Sequence, residues 1–507
     1  MIRNITEYID RSADLYPDKL AFVDENKSVT FSELRDQAKQ IASSLIKYNV
    51  LKKPVAVCME KTVNAITTFM GVVYAGGFYA PIDADMPERR IGIILDSLNP
   101  IMLIVDEASY KKVEIMGLSV NTIMFDSLTG SDIDNAEIES IRKKMIDVDP
   151  LYVIFTSGST GIPKGVVQNH RAVIDFTEWF SDAAQLDENT VFANQPPFYF
   201  DMSVKDIYGT LRNGATDYIT PHELFSFPTK MFEYLNKNKI NTLAWAVSAV
   251  SLCANESSFE KELPKYVNKI CFGGEALPVK VLNTWKKYLP DAMYMNMYGP
   301  TETAVDCTYY IVDRKFEDTE HLPAGKACFN TEILIISDNK KAEIGEIGEI
   351  CVRGSSLAHG YYNNWDKTNE VFVQNPLNNN YIDLIYRTGD LGYVNEEGLI
   401  MFASRKDDQI KHMGYRIELG EIETALNSIS NIEMCCCLFD NGKDHIYCVY
   451  KGDISRRDII LELNKMVPKY MWPNKFVQLD EMPLNLNGKI DRVYLKETYL
   501  NNKNENS

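Results

Sequence analysis

The 507-residue chain predicts an α/β protein. It has a large N-terminal part of two βαβ-layered subdomains plus a small β-barrel-like subdomain, followed by a small, mobile α+β C-terminal domain. Three observations carry this. Up to about Asn330, short apolar runs alternate with amphipathic helical stretches, the pattern of parallel sheets covered on both faces. Beyond Asn330 come closely spaced short strands with turns, an antiparallel, barrel-like pattern. The last hundred or so residues hold a compact strand–helix set that is long enough to fold by itself. A boundary near Asp407 divides the chain into 1–406 and 407–507.

The elements follow in order. Apolar spacing from Ile5 to Tyr16 is helical, and VTFSELRDQAKQIASSLIKY (Val29–Tyr48) reads as a strand end, Ser32 as N-cap, and a long amphipathic helix. VAVCM (Val55–Met59) is a strand, Asn64–Ala75 a helix, and IMLIVD (Ile101–Asp106) and LYVIF (Leu151–Phe155) are strands. A helix at Arg171–Phe180 precedes strands at NTLAWAV (Asn241–Val247) and KICFGG (Lys269–Gly274). TEILIIS, GEIGEICVRG, LIYRTGDLGYV and LIMFASRKDDQIK make up the antiparallel part. IELGEIETALNSI, MCCCLF, HIYCVYKG, RRDIILELNKMV and KFVQLD make up the last domain. NPLNNN (Asn375–Asn380) and the tail NNKNENS read as surface segments.

Composition narrows the function. With 45% hydrophobic and 24% charged residues the chain is an ordinary globular one. A formal charge of −18 argues against nucleic acid or anionic membrane as a partner, since both require a basic face. The ten cysteines have no CxxC spacing and read as reduced thiols. An N-terminus without an apolar signal core, and no apolar run of bilayer length, predict a cytoplasmic protein without membrane insertion.

TSGSTGIPKG (Thr156–Gly165) follows the strand LYVIF, the context of a phosphate cradle. Gly158, Gly161 and Gly165 permit close backbone approach, Thr156, Ser157, Ser159 and Thr160 add hydroxyls, and Lys164 supplies a cation. It is not a Walker A loop, because Lys164 is followed by Gly165 rather than Ser or Thr. Four further stretches come in order: NMYGPTE (Asn296–Glu302), YRTGD (Tyr386–Asp390), RKDDQIKHMGYRIELGEIE (Arg405–Glu423) and NGKIDR (Asn487–Arg492).

Together with VTFSEL and YAGGFYAPIDADMP (Tyr74–Pro87), these motifs resemble the adenylation-domain family of adenylate-forming enzymes. That family includes nonribosomal peptide synthetase adenylation domains, acyl-CoA synthetases and luciferases. The resemblance implies attack of a carboxylate on the α-phosphate of ATP with Mg²⁺, giving an acyl-adenylate and pyrophosphate. It places the β- and γ-phosphates on the Thr156–Gly165 loop, Mg²⁺ on Glu302 and the α-phosphate near Thr301. Tyr298 and Asn296 would face adenine, with Gly273, Gly274 and Gly299 lining the nucleotide site. Asp390, assisted by Arg405, would take the ribose hydroxyls. Lys489 would be the catalytic lysine and Asp407 the hinge, with Ser404 a departure from the family's usual Gly.

For the acid, the resemblance assigns Asp201 in PPFYFDMSVKDIYGTL (Pro196–Leu211) to a substrate α-ammonium, which implies an amino acid; a helix N-cap is the alternative role for this Asp. Met202, Lys205, Cys271, Gly273, Met297, Val305 and Asp306 would complete the pocket, with Ala244 nearby. Lys205 with Gly273 and Val305–Asp306 points to a polar or acidic amino acid, although Asp306 could neutralise Lys205 without any ligand. The whole chain also resembles D-alanine–carrier protein ligases, which usually have Met and Cys where Lys205 and Gly273 stand. The implied acceptor is the phosphopantetheine thiol of a separate carrier protein. Coenzyme A, as in acyl-CoA synthetases, is an alternative, and a non-catalytic nucleotide-binding accessory protein is an alternative of another class.

Overall fold

The computed structural model describes residues 2–158, 162–406, 409–484 and 490–501. Two compact units emerge. The first comprises Met1–Ala84, Ser97–Ile154 and Gly165–Lys406; the second comprises Asp85–Asp96, Phe155–Lys164 and Asp407–Ser507.

The first unit is built around a nine-stranded sheet. Its central strands, in the spatial order Met293–Tyr298, Lys269–Gly273, Thr242–Ala246, Val191–Asn194, Thr216–Ile219 and Leu20–Val23, run parallel. Antiparallel strands close both edges. Because side chains alternate along a strand, both faces are apolar and each meets a different core. Leu243, Trp245, Ile270, Phe272 and Tyr294 pack against Phe232, Val250 and Trp285 on one side. Ala244, Cys271, Met295 and Met297 join the opposite core, with Phe176, Phe180, Ile207 and Tyr208. That second core also covers a six-stranded sheet that contains Pro54–Cys58, Phe78–Ile82 and Met102–Val105 in parallel. A third sheet of six strands is antiparallel, centred on Thr331–Ser337, Gly348–Gly354 and Leu384–Val394.

In the second unit, a hairpin (Gln409–His412 with Tyr415–Glu418) leads into the helix Leu419–Asn427. A three-stranded sheet of Ile432–Asp440, His445–Gly452 and Lys475–Gln478 follows. Its interior is apolar and holds Cys435, Cys437 and Cys448 as buried free thiols.

One expected cap differs. The helix Phe31–Ile46 is capped by Thr30, not Ser32: the Thr30 hydroxyl accepts the Glu33 N–H and the Glu33 carboxylate accepts the Thr30 N–H. This reciprocal capping box satisfies two otherwise orphaned donors, which a Ser two residues inside the first turn cannot do. Among the described residues no helix is long and apolar enough to cross a membrane.

Gly299 marks where the central sheet turns into the NMYGPTE motif. A Cβ there would lie 2.4 Å from Asp306 Cα and 2.6 Å from the Val305 carbonyl oxygen, both backbone atoms with nowhere to move. Gly299→Ala should therefore destabilise the fold by about 1–3 kcal/mol, read as a fall in the chemical denaturation midpoint.

Candidate active site

The carboxyl ends of the parallel strands carry the predicted pocket residues, where ligands bind in open α/β sheets. Register aligns them. Ala244 lies beside Cys271 and Cys271 beside Met295, while Ala246 lies beside Gly273 and Gly273 beside Met297. Gly273 is held small by its neighbour, since a Cβ would come 2.7 Å from the Met297 carbonyl oxygen and 3.5 Å from Asp306 Oδ1. Met202 Sδ lies 3.5 Å from where a Gly274 Cβ would stand.

After Tyr298 the chain makes the single 3₁₀ turn Thr301–Thr303 and then reverses into the strand Thr308–Ile311. The reversal requires positive φ at two non-glycine residues, Ala304 at 54° and Val305 at 74°. For a β-branched residue this is a strained conformation, costing about 1–3 kcal/mol. Among the hydrogen bonds that hold the turn are Ala358 N–H to the Glu302 carbonyl (2.9 Å), Gln168 Nε2 to the Thr301 carbonyl (3.3 Å), and Cys307 N–H to the Tyr298 carbonyl (2.8 Å). GPTE is thus no exposed turn: Thr301 and Glu302 are buried.

The helix Ser203–Asn213 brings Lys205 to the same place. Its Nζ lies 2.8 Å from Asp306 Oδ2, with side-chain exposures of 0% and 4%. The contact is an ion pair, off the directional geometry of a hydrogen bond. Asp201 precedes this helix but does not cap it, since the N-cap position is Met202 and no side chain caps there. Instead Asp201 lies beside Thr301, whose hydroxyl favours the charged carboxylate, while burial, the larger effect, raises its carboxyl to about 6.

Asp390 and Arg405 stand opposite each other on paired antiparallel strands and form an ion pair. The other Asp390 oxygen accepts the Tyr298 hydroxyl at 2.5 Å. A carboxylate offers about four lone-pair sites, so acceptor capacity is left for a diol. The Asn296 side-chain amide donates to the Pro323 carbonyl at 2.7 Å, so one of its donors is already used. Glu302 Oε1 accepts the Tyr361 hydroxyl at 2.7 Å. Among the described residues, no three His, Cys, Asp or Glu side chains gather to hold a metal ion. Glu302 alone suits Mg²⁺, which commonly uses one or two carboxylates and takes its other ligands from phosphate and water.

In the second unit, the Thr156 hydroxyl is buried without a partner, an orphaned donor that fits a phosphate oxygen. Gly158 folds tightly onto the loop, since a Cβ would sit 2.0 Å from the Ile162 carbonyl oxygen. Ser157 Oγ donates to the Arg416 carbonyl at 2.7 Å, and Lys164 Nζ lies 3.8 Å from Glu418. Glu421 pairs with Arg90, and burial, the largest effect on it, raises its carboxyl. An anionic ligand here would compete with Glu418 and Glu421 for the same donors. Ser159, Thr160, Gly161, Asp407 and Lys489 lie outside the described residues. Tyr361, Arg90 and Glu421 were not among the residues singled out from sequence. Of these, only Glu421, inside GEIE, carried any local signal.

The family model described as AMP-binding enzyme matches residues 9–362. The chain belongs to the AMP-binding enzyme family. A D-alanine–D-alanyl carrier protein ligase of Bacillus cytotoxicus is 33% identical, over 97% of this chain and 98% of its own length. Tyrocidine synthase 1 of Brevibacillus parabrevis is 30% identical, over 98% of this chain but only 45% of its own length. The chain spans 11% of gramicidin S synthase 2 from Brevibacillus brevis at 31% identity. Against such synthases this AMP-binding enzyme is therefore less than half, and against the ligases a full-length match. A double mutant of o-succinylbenzoate CoA synthetase from Bacillus subtilis superposes with a TM-score of 0.83 at 22% identity, covering 97% of this chain and 98% of that one. A nonribosomal peptide synthetase protein with adenylation and carrier domains gives 0.82 at 21%, covering 98% and 84%. These two likenesses establish the adenylate-forming fold.

The Lys205–Asp306 pair can be probed directly. Lys205→Met should leave Asp306 buried and uncompensated and cost about 3–5 kcal/mol of stability in urea unfolding, whereas adding Asp306→Val to it should recover most of that loss.

Proposed function

We propose that this chain is an ATP-dependent amino acid–carrier protein ligase that forms an aminoacyl-adenylate and passes the acyl group to a phosphopantetheine thiol on a separate carrier. A small amino acid of the D-alanine type is the proposed substrate. The observation that carries amino-acid activation is Asp201, a buried carboxylate that caps no helix and stands beside Thr301 in the strand-end pocket. A substrate ammonium would supply the cation that such a group needs. The small side chain is supported by the internal neutralisation of Lys205 by Asp306, which takes that lysine away as a partner for an acidic substrate. It is supported also by Met202 and Met297, which border the pocket, and by ligase relatives matched over their full length.

A second reading, activation of a polar or acidic amino acid, is favoured by one feature: a charged pair at the position where D-alanine ligases usually carry Met. Glutamate could exchange partners with Asp306. Coenzyme A is the alternative acceptor.

In the proposed mechanism, Asp201 orients the amino acid and Thr301 steadies the α-phosphate. Asp390, braced by Tyr298 and Arg405, accepts the ribose hydroxyls. Glu302 would hold Mg²⁺, which neutralises phosphate charge when bound. Thr156–Gly165 grips the departing pyrophosphate, and Lys489 offsets charge on the attacked phosphorus. Such positioning and electrostatic neutralisation are what joining two anions requires. Asp407 is the proposed pivot between the domains 1–406 and 407–507.

Amino-acid-dependent pyrophosphate exchange across D- and L-alanine, glutamate, glutamine and aspartate tests this. D-alanine should give the strongest signal, glutamate or glutamine leading would select the second reading, and a response only to benzoates or fatty acids would overturn both. Lys489→Ala should lower exchange by at least about 10²–10³-fold with ATP affinity nearly unchanged. Because Asp201 binds the ammonium only when ionised and its carboxyl is raised to about 6, KM for the amino acid should climb about tenfold between pH 6.5 and pH 5. In Asp201→Asn, KM should be high and flat over that range.

A further inference from the structure

We propose that Lys61 is a positioning residue for the amino-acid pocket: its ammonium fastens the end of the strand Val191–Asn194 to the segment that delivers Asp201. The proposal rests on the amino-acid-activating reading above.

Lys61 follows the strand Pro54–Cys58 of the six-stranded sheet, yet it serves the nine-stranded one. Its Nζ donates to the carbonyls of Asn194 (2.9 Å) and Gln195 (3.1 Å), and lies 5.7 Å from the centre of the Phe198 ring. These carbonyls stand at the point where the strand ends. From there the chain runs through Pro196 and Pro197, whose φ is fixed by their rings, then through turns closed by Phe200 N–H to the Pro197 carbonyl (3.0 Å) and Ser203 N–H to the Phe200 carbonyl (3.1 Å). Asp201 sits inside that succession, with no long flexible stretch between it and the anchor.

The charges around Lys61 suit an anchor rather than a solvated side chain. Asp217, on the strand Thr216–Ile219, accepts the Asn194 side-chain amide at 3.3 Å. Asp206, next to Lys205 on the helix Ser203–Asn213, is fully buried, with neither oxygen hydrogen-bonded. Asp217 and Asp206 are the titratable groups that act on the Lys61 ammonium; ionised, both favour its charge, but burial raises Asp217 to about 7 and Asp206 well above the usual carboxylate range, and burial of Lys61 itself is the larger effect and lowers its ammonium to about 8. Lys61 is thus mostly charged at pH 7 and loses one proton as pH rises past 8, and with it the charge that strengthens its hold on both carbonyls.

The test measures KM for the preferred amino acid and for ATP by pyrophosphate exchange at pH 7 and 9, with Tm, in the wild type, Lys61→Arg and Lys61→Met. Arginine stays charged throughout, and the titrations of Asp217 and of the substrate's own ammonium are common to the wild type and Lys61→Arg and cancel in their ratio. The amino-acid KM of the wild type should rise about tenfold more than that of Lys61→Arg between the two pH values. Lys61→Met should start high and show no such extra rise, with KM for ATP within twofold in all three. Identical profiles for wild type and Lys61→Arg would overturn the proposal, as would equal losses for ATP and amino acid in Lys61→Met with a lowered Tm. Wild-type protein with no amino-acid-dependent exchange would instead remove the functional reading, and this proposal with it.

Discussion

Burial of the nine-stranded sheet on both faces is the constraint on which the rest of the first unit depends. Alternation then sends neighbouring residues to different cores: Trp245 and Phe272 to one, Ala244 and Cys271 to the other. The aromatic side fills space, and the side with small and flexible residues leaves room at the strand ends. The proposed pocket at the carboxyl ends of Lys269–Gly273 and Met293–Tyr298 draws on side-chain size on one face as much as on loops.

Charge is placed in that pocket with its compensation close by. Lys205 and Asp306 arrive from a helix and from a strained turn, and neither would be tolerated alone at their depth. The positive φ values of Ala304 and Val305 precede Asp306, which meets Lys205, while Gly273 leaves no Cβ to crowd the Met297 carbonyl beside them. Asp390 is treated the same way, bracketed by Arg405 and Tyr298. Each carboxylate is thereby held in one orientation before any ligand arrives, which lowers the cost of binding.

Much of this organisation was legible in the chain. The change from βα alternation to antiparallel strands after Asn330 is seen in the three sheets, and the motifs up to Asn296–Glu302 that carry the family resemblance fall within the family match over residues 9–362. Capping was misjudged at Ser32, where Thr30 and Ser32 differ only in which backbone N–H they can reach. Sequence leaves the Lys205–Asp306 contact open, because about a hundred residues separate the partners and no periodicity links them. Lys61, Asp206 and Asp217 passed unremarked, since a lysine after a strand and two aspartates in amphipathic stretches look like solvated surface until burial is known.

The sequence by itself determined the class of fold, the family and the set of polar residues available to a site, because hydrophobic period and motif order are local properties. Tertiary structure alone decided which charges meet. Strand register put Asp390 opposite Arg405, and helix packing put Lys205 on Asp306. The physical reason is that an ion pair's worth depends on distance and desolvation, and both are set only when separate elements close over a common core.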